Sequence, residues 1–292
     1  MAAYLFPGQG SQFPGMGKEL YENHEAAREY FERANEILGF RISDIMFDGT
    51  PEDLRQTKVT QPAVFLQSLI SYYVHGHKHE LTCVAGHSLG EFTALVANGT
   101  LSFENGLKLV SIRANAMQKA CEKEPSTMAA ILGMEDEIVE QVCREIDDIV
   151  IPANYNCPGQ LVISGSKSGI SKALELLSLR GAKRAIELQV GGAFHSPFMK
   201  PAEEELSAAI INTIFEKPSF PVYQNFTALE ESDPVNIKIN LIKQLTAPVL
   251  WTQTIRNMEQ AGIFKFVEVG GNGKTLTAFV KKVNKDFETD SI

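Results

Sequence analysis

The run Leu81-Thr82-Cys83-Val84-Ala85 is compact and apolar, and it breaks at Gly86-His87-Ser88-Leu89-Gly90 into the helical pattern Glu91–Ala97. This is G-x-S-x-G between a predicted strand and a predicted helix, a sharp turn that tolerates no side chain two residues before or after the serine. The turn lifts the serine hydroxyl above a sheet edge and points the following helix N-terminus at it. A chain with such a turn must supply a sheet for the strand to join. Other segments fit that demand. Tyr4-Leu5-Phe6 reads as a buried strand entering the tight loop Pro7-Gly8-Gln9-Gly10, and Phe264–Val269 as a late strand followed by a helix after Gly273. His24–Leu38 carries a helical stripe at Tyr30, Phe31, Ala34, Ile37 and Leu38. Thr50-Pro51-Glu52-Asp53 starts a helix, Thr60-Gln61-Pro62 opens another, and Ser102 caps a long one reaching about Lys119. Strands alternating with helices predict an α/β fold with a parallel sheet covered on both faces.

The rhythm changes between residues 126 and 190. Thr127–Leu132, Ile149–Ala153, Leu161–Gly165 and Lys183–Leu188 read as strands, with helices at Glu135–Ile146 and Ile170–Leu179. That βαββαβ order is the ferredoxin-like pattern. Residues 126–190 are therefore expected to form a small subdomain inserted into a large one made of 1–125 and 191–292.

At 292 residues the chain can bury a sizeable core without staples. Cys83, Cys121, Cys143 and Cys157 form no CxxC pair, which suits a reducing compartment. No apolar run is long enough to span a membrane and no signal peptide opens the chain, so a cytoplasmic protein is expected. The net charge of -9 argues against nucleic acid as a partner.

A serine hydroxyl needs a base to act as a nucleophile. His75, His77 and His79 in HGHKH suggest a metal cluster, but only Glu80 stands near as a further ligand, and no metal is expected. His24 lies on a polar helix face. His87 sits inside the elbow, where a supporting role suits it. His195, in Gly191-Gly192-Ala193-Phe194-His195-Ser196-Pro197, follows a strand among glycines that permit close backbone approach, and is the best candidate base. No Asp or Glu occupies the usual hydrolase order, so a backbone carbonyl can hold the imidazole tautomer instead. Two glycine loops fail as phosphate sites. Phe13 stands where the dinucleotide fingerprint needs glycine, and Glu268 stands where a P-loop before Gly273-Lys274-Thr275 does. The first loop suits an oxyanion donor.

Taken together, FPGQGSQ at Phe6–Gln12, TQPA at Thr60–Ala63, GHSLGE at Gly86–Glu91, Arg113 and Met117-Gln118 resemble the malonyl-CoA:acyl-carrier-protein transacylase family. NYNCPGQLVISG at Asn154–Gly165, GAFHS at Gly192–Ser196 and PVLWT at Pro248–Thr252 continue the resemblance in order. It implies an α/β-hydrolase-like core around the inserted subdomain. It also implies an acylated Ser88, His195 as general base, the Gln9 and Leu89 amides as oxyanion hole, and the Leu250 carbonyl as the group orienting His195. Arg113 corresponds to the malonyl anchor, where a planar guanidinium fork suits a free carboxylate; the bland alternative is a solvated helix arginine. Met117 shares its helix face. Gln61 and Asn156 match active-site amides, and Leu89 and Phe194 look like malonyl-selecting variants, the phenyl ring crowding any substituent on the malonyl α-carbon. Glu268–Gly273 departs from the glycine-proline-glycine more usual in related chains.

The implied reaction is ping-pong transfer of malonyl from malonyl-CoA to the phosphopantetheine thiol of acyl carrier protein, with coenzyme A thioester as substrate and no cofactor. Fatty acid synthesis is the favoured setting. Acidic carriers would need a basic patch, for which Lys183, Arg184, Lys274, Lys281 and Lys282 are candidates. A serine thioesterase or acyl hydrolase on the same elbow is the alternative activity, and a non-catalytic carrier-binding module the remaining one.

Overall fold

A computed structural model describes residues 2–76 and 79–292. His77, the middle of the HGHKH tract, lies outside the described residues. The chain forms a mixed α/β structure with one mostly parallel sheet and one separate antiparallel sheet.

Strand β1 (Ala2–Phe6) is buried along its whole length, as a central parallel strand must be. It lies between β2 (Leu81–Gly86) and the late strand β9 (Lys265–Glu268), with Phe6 opposite Gly86 and Leu5 opposite Glu268. The loop after β1 and the turn after β2 therefore leave the sheet side by side. On the far side of β2 comes β7 (Val222–Tyr223), then the antiparallel β8 (Glu230–Glu231). Glu288–Ser291 forms β10, an edge strand parallel to β9, on which the polar sequence carries no apolar alternation to read.

Between β1 and β2 run α1 (Lys18–Asn23), α2 (Glu25–Leu38), α3 (Ile42–Asp48), α4 (Pro51–Arg55) and α5 (Thr57–His75). Helix α4 opens with a reciprocal capping box between Thr50 and Asp53. Helix α5 starts at Thr57, three residues before the expected Thr60, and encloses Pro62. Proline usually marks a first turn; here it lies one turn further in. After β2 come α6 (Gly90–Ala97) and α7 (Phe103–Lys123), the latter capped by Ser102 and running beyond the expected Lys119. Its buried stripe passes through Leu107, Val110, Arg113, Ala114 and Met117, so Arg113 occupies a position reserved for core residues.

The second sheet is built by β3 (Ser126–Leu132), α8 (Asp136–Glu145), β4 (Val150–Cys157), β5 (Gln160–Ser166), α9 (Lys167–Leu179) and β6 (Arg184–Glu187). Its order is β4-β5-β3-β6, antiparallel throughout. Period-two alternation splits β3 and β5 between two environments. Ala129, Ile131, Leu161 and Ile163 pack with Val139, Val142 and Leu177 of the two helices. Met128, Val162 and Ser164 face the other way, toward the first sheet. A parallel bridge between Asn154 and Val249 ties the two parts together.

The remaining helices are α10 (Lys200–Asn212), α11 (Pro234–Lys243), α12 (Trp251–Gln260) and α13 (Thr275–Val283). The buried Glu268 carboxylate accepts the Thr275 and Thr277 amides at 3.2 and 2.9 Å, so a side chain of the protein fills the N-terminus of α13 where a phosphate would otherwise sit. Among the described residues no helix is long and apolar enough to cross a membrane.

Candidate active site

The elbow forms as expected. Ser88 has φ +52°, a conformation that costs a non-glycine residue energy and is held only by its surroundings. The flanking glycines are sterically required. A Cβ on Gly86 would lie 1.9 Å from the Gly90 carbonyl carbon, and one on Gly90 would lie 2.0 Å from the Phe6 carbonyl oxygen. Asn225, just beyond β7, clamps the turn: its Oδ1 accepts the Ser88 amide at 2.6 Å and its Nδ2 donates to the Gly86 carbonyl at 2.6 Å.

His195 stands over the serine with Nε2 2.7 Å from Ser88 Oγ. It too has a left-handed backbone, φ +56°. Its loop is fastened to the second sheet, where Ser164 Oγ donates to the Phe194 carbonyl at 2.6 Å and Ser126 Oγ accepts the Ala193 amide at 3.0 Å. The imidazole is oriented by the Gln244 carbonyl, 2.9 Å from Nδ1. A carbonyl only accepts, so Nδ1 carries the hydrogen and Nε2 is free to take one from serine. The expected orienting group, Leu250, does not reach the histidine. Leu250 precedes α12, and its carbonyl takes the Thr254 amide and hydroxyl, both at 2.9 Å. Burial, then the Arg113 charge, pushes the His195 pKa down to about 3, so the imidazole is neutral at physiological pH.

Arg113 is 1% exposed, which removes the solvated alternative. Its Nη1 donates to Gln61 Oε1 at 2.8 Å, and its Nη2 to Ser88 Oγ at 3.0 Å and Gln244 Oε1 at 3.3 Å. Its Nε has no partner among the described residues. All its acceptors are neutral. Burial lowers its pKa to about 10, leaving it a cation at neutral pH. Gln61 is in turn held by Met117, whose sulfur lies 3.2 Å from Nε2.

A cleft of about 110 Å3 opens over these groups, lined in part by Gln9, His87, Met117, Met128, Asn154 and Phe194. The Gln9 and Leu89 amides meet no acceptor among the described residues. Two donors left open beside a nucleophile can hold an oxyanion. The Gln9 loop is fixed by Ser11, whose amide and hydroxyl both donate to the Gly8 carbonyl. His87 is bonded through Nε2 to Asn156 Oδ1 at 2.8 Å, and burial pushes its pKa to about 4. Asn156 thus stands behind His87, while Asn154 reaches the cleft with a buried Oδ1 that has no partner among the described residues.

Sequence reasoning overlooked Gln244, Asn225, Asn154 and the role of Glu91, the fully buried carboxylate beneath the elbow. Glu91 carried a signal, as the one charged residue of α6 (Gly90–Ala97); Gln244 and Asn225 lie in segments with none. The structure gathers Lys183, Arg184 and Lys282 around one surface pocket. Lys274 is not among its lining residues, and Lys281 is spent on the Lys285 and Phe287 carbonyls. Among the described residues no group of His, Cys, Asp and Glu could hold a metal ion.

The family model described as "Acyl transferase domain" matches residues 3–290. The malonyl CoA-acyl carrier protein transacylase of Bacillus subtilis is 42% identical over 99% of this chain and 92% of its own length. Among solved structures, the acyl-carrier-protein S-malonyltransferase of Burkholderia pseudomallei superposes with a TM-score of 0.94 at 37% identity, covering 100% of this chain and 96% of that one. A malonyl-transacylase in complex with a type II polyketide synthase acyl-carrier protein gives 0.94 at 34% identity, covering 99% and 95%.

Proposed function

The chain belongs to the acyl transferase domain family, alongside the malonyl-CoA–acyl carrier protein transacylases, and from that premise we propose that it carries malonyl between the two thiols by way of a malonyl ester on Ser88. The observation that carries this reading is a single triangle: Ser88 Oγ within 2.7 Å of His195 Nε2 and 3.0 Å of a buried guanidinium. His195 takes the serine proton as Oγ attacks the thioester carbonyl of malonyl-CoA. The Gln9 and Leu89 amides receive the developing oxyanion. Collapse releases coenzyme A, which leaves with the proton from His195. The free carboxylate of the acyl group rests on Arg113, presented by Gln61 and Met117 and roofed by Phe194. The carrier's phosphopantetheine thiol then enters, loses its proton to His195 and takes the acyl group, and the departing Ser88 Oγ recovers that proton from His195. Every step uses side chains and amides of the chain itself, with coenzyme A entering as substrate rather than resident cofactor.

Residues 1–125 and 191–292 read as a hydrolase-like domain, and 126–190 as a ferredoxin-like subdomain that brings β3 and β5 over the cleft. The strand order β4-β5-β3-β6 supports this. The pocket of Lys183, Arg184 and Lys282 is the surface best suited to an acidic carrier. Chemistry on coenzyme A and carrier thioesters fits the cytoplasm.

The test against the hydrolase reading is partition of the acyl-enzyme. With malonyl-CoA and holo carrier protein, most malonyl should appear on the carrier; release mainly as free malonate would assign the site to hydrolysis.

A further inference from the structure

The helix that leaves the elbow buries one carboxylate among apolar side chains. Glu91 is 0% exposed beside Phe92, Ala94 and Leu95. Its hydrogen-bond partners are all donors: Gln224 Nε2 at 3.0 Å on Oε1, and the Asn225 amide at 2.8 Å and Gln244 Nε2 at 3.1 Å on Oε2. Gln224 is itself fixed in that sense, because Asn240 Nδ2 donates to its Oε1 at 2.9 Å. Burial pushes the Glu91 pKa up, while these donors and the Arg113 charge pull it back, and with donors on both oxygens the geometry favours the ionised form. Burying such a charge is costly unless something answers it. Arg113 presents the opposite problem, a buried guanidinium whose acceptors are two amide oxygens and a hydroxyl. One side chain touches both. Gln244 donates Nε2 to Glu91 and, at 2.9 Å, to the Ser88 carbonyl, while its Oε1 accepts from Arg113.

We propose that Glu91 is a positioning residue for acyl-group selection: acting through the Gln244 amide, its carboxylate holds the acceptor edge of Gln244 on Arg113 and keeps the guanidinium aimed at the carboxylate of the incoming acyl group. The proposal rests on the reading of Arg113 as the acyl anchor.

A side-chain amide offers two faces, and the surroundings decide between them. In the observed orientation Nε2 meets two acceptors and Oε1 meets a donor. Turned over, Oε1 would face the Ser88 carbonyl and the Glu91 carboxylate, and Nε2 would face the guanidinium. All three contacts would become repulsive. The charge on Glu91 supplies much of that bias, because glutamine there could donate as well as accept. The neutral spacer matters equally. A carboxylate bonded directly to Arg113 would orient it but would compete with the substrate's carboxylate for the same fork. Placing the anion behind an amide compensates the guanidinium and leaves it open. Because the Gln244 carbonyl also holds His195 Nδ1, the same residue ties acyl selection to the base.

The test is the ratio of kcat/KM for malonyl-CoA to that for acetyl-CoA in forming the acyl-enzyme, measured on Glu91→Gln, Gln244→Met and the double variant. Glu91→Gln should lower the ratio roughly tenfold or more, chiefly through KM for malonyl-CoA, and Gln244→Met should do likewise. The double variant should be no less selective than Gln244→Met alone, since Glu91 acts through that residue. A ratio in Glu91→Gln within about twofold of wild type overturns the proposal, as do additive losses in the double variant. A residue with only a structural role would slow both acyl groups alike, and that outcome overturns it too. Should Glu91→Gln fail to fold, Gln244→Met decides: an unchanged ratio there rejects the relay. A wild-type enzyme with no preference for malonyl would instead reject the anchor reading, and the proposal with it.

Discussion

Replacing Arg113 with methionine separates its two roles, acyl recognition and support of the serine. The methionine side chain fills similar length without charge, but it removes one of two compensating buried charges and leaves the Glu91 carboxylate unanswered. Two amide oxygens, on Gln61 and Gln244, also lose their guanidinium partner, so a loss of about 3–5 kcal/mol in stability is expected. The effect on catalysis should be selective. A carboxylate on the guanidinium makes charge-assisted bonds worth about 1.5–3 kcal/mol each. The gain per substrate is less than two full bonds, because the waiting guanidinium already has three neutral acceptors to satisfy it. A difference of about 2–4 kcal/mol follows, or roughly 30- to 1,000-fold in kcat/KM for malonyl-CoA. Acetyl-CoA has no carboxylate to lose and should change by no more than about threefold. Rapid-quench mass spectrometry of the acyl-enzyme with each thioester reads both numbers. Equal losses for the two acyl groups would refute the argument, because Arg113 would then be serving the Ser88 hydroxyl rather than the substrate.

Acylation should show no titration near the ordinary histidine value. With His195 pushed down to about 3 and His87 to about 4, kcat/KM for malonyl-serine formation should stay flat from about pH 8 to about pH 5; a limb between about 6 and 7 would contradict the burial argument. Stability behaves differently. Below about pH 6.5 the unfolded chain binds protons at both histidines that the native state refuses, so stability should fall on acidification by up to about 2.7 kcal/mol per pH unit until the native values are reached, as denaturant titrations across that range would record. Gly90→Ala places a Cβ 2.0 Å from the Phe6 carbonyl oxygen and 2.8 Å from that of Pro7, which cannot yield without separating α6 from β1. A loss of about 3 kcal/mol or more, seen as a melting temperature lower by about 6 °C or more, is expected, and wild-type melting would refute the packing argument.

The parts of the site that were legible in the sequence are those where local chemistry and backbone shape coincide. Ser88 sits between glycines whose absence of side chains is a steric requirement, so the motif declares the turn. Arg113 shares a helix face with Met117, but spacing alone left a solvated arginine open, and only its burial in the fold decides against that. The βαββαβ order was readable because each strand of the second sheet is flanked by a strong helix or turn signal. The missing parts are set by tertiary contact. Gln244 orients His195 through a backbone atom, and any residue type can present a carbonyl, so nothing in the sequence distinguished it from Leu250. Asn225 reaches the elbow only because β7 pairs with β2, a two-residue strand too short to announce itself. Strand β10 is polar throughout and owes its place to pairing with β9. Pro62 misled by obeying a rule for first turns from inside a helix.

The central claim is that the acyl group rests on Ser88 between donors. Incubation with malonyl-CoA in the absence of any carrier protein, followed by acid quench and peptide mass spectrometry, tests it most directly. The account predicts a malonyl ester on the Ser88 peptide, close to one per chain, with release of free coenzyme A and none on a Ser88→Ala variant. Transfer to carrier that proceeds with no such ester, or with the malonyl group on another residue, would contradict it.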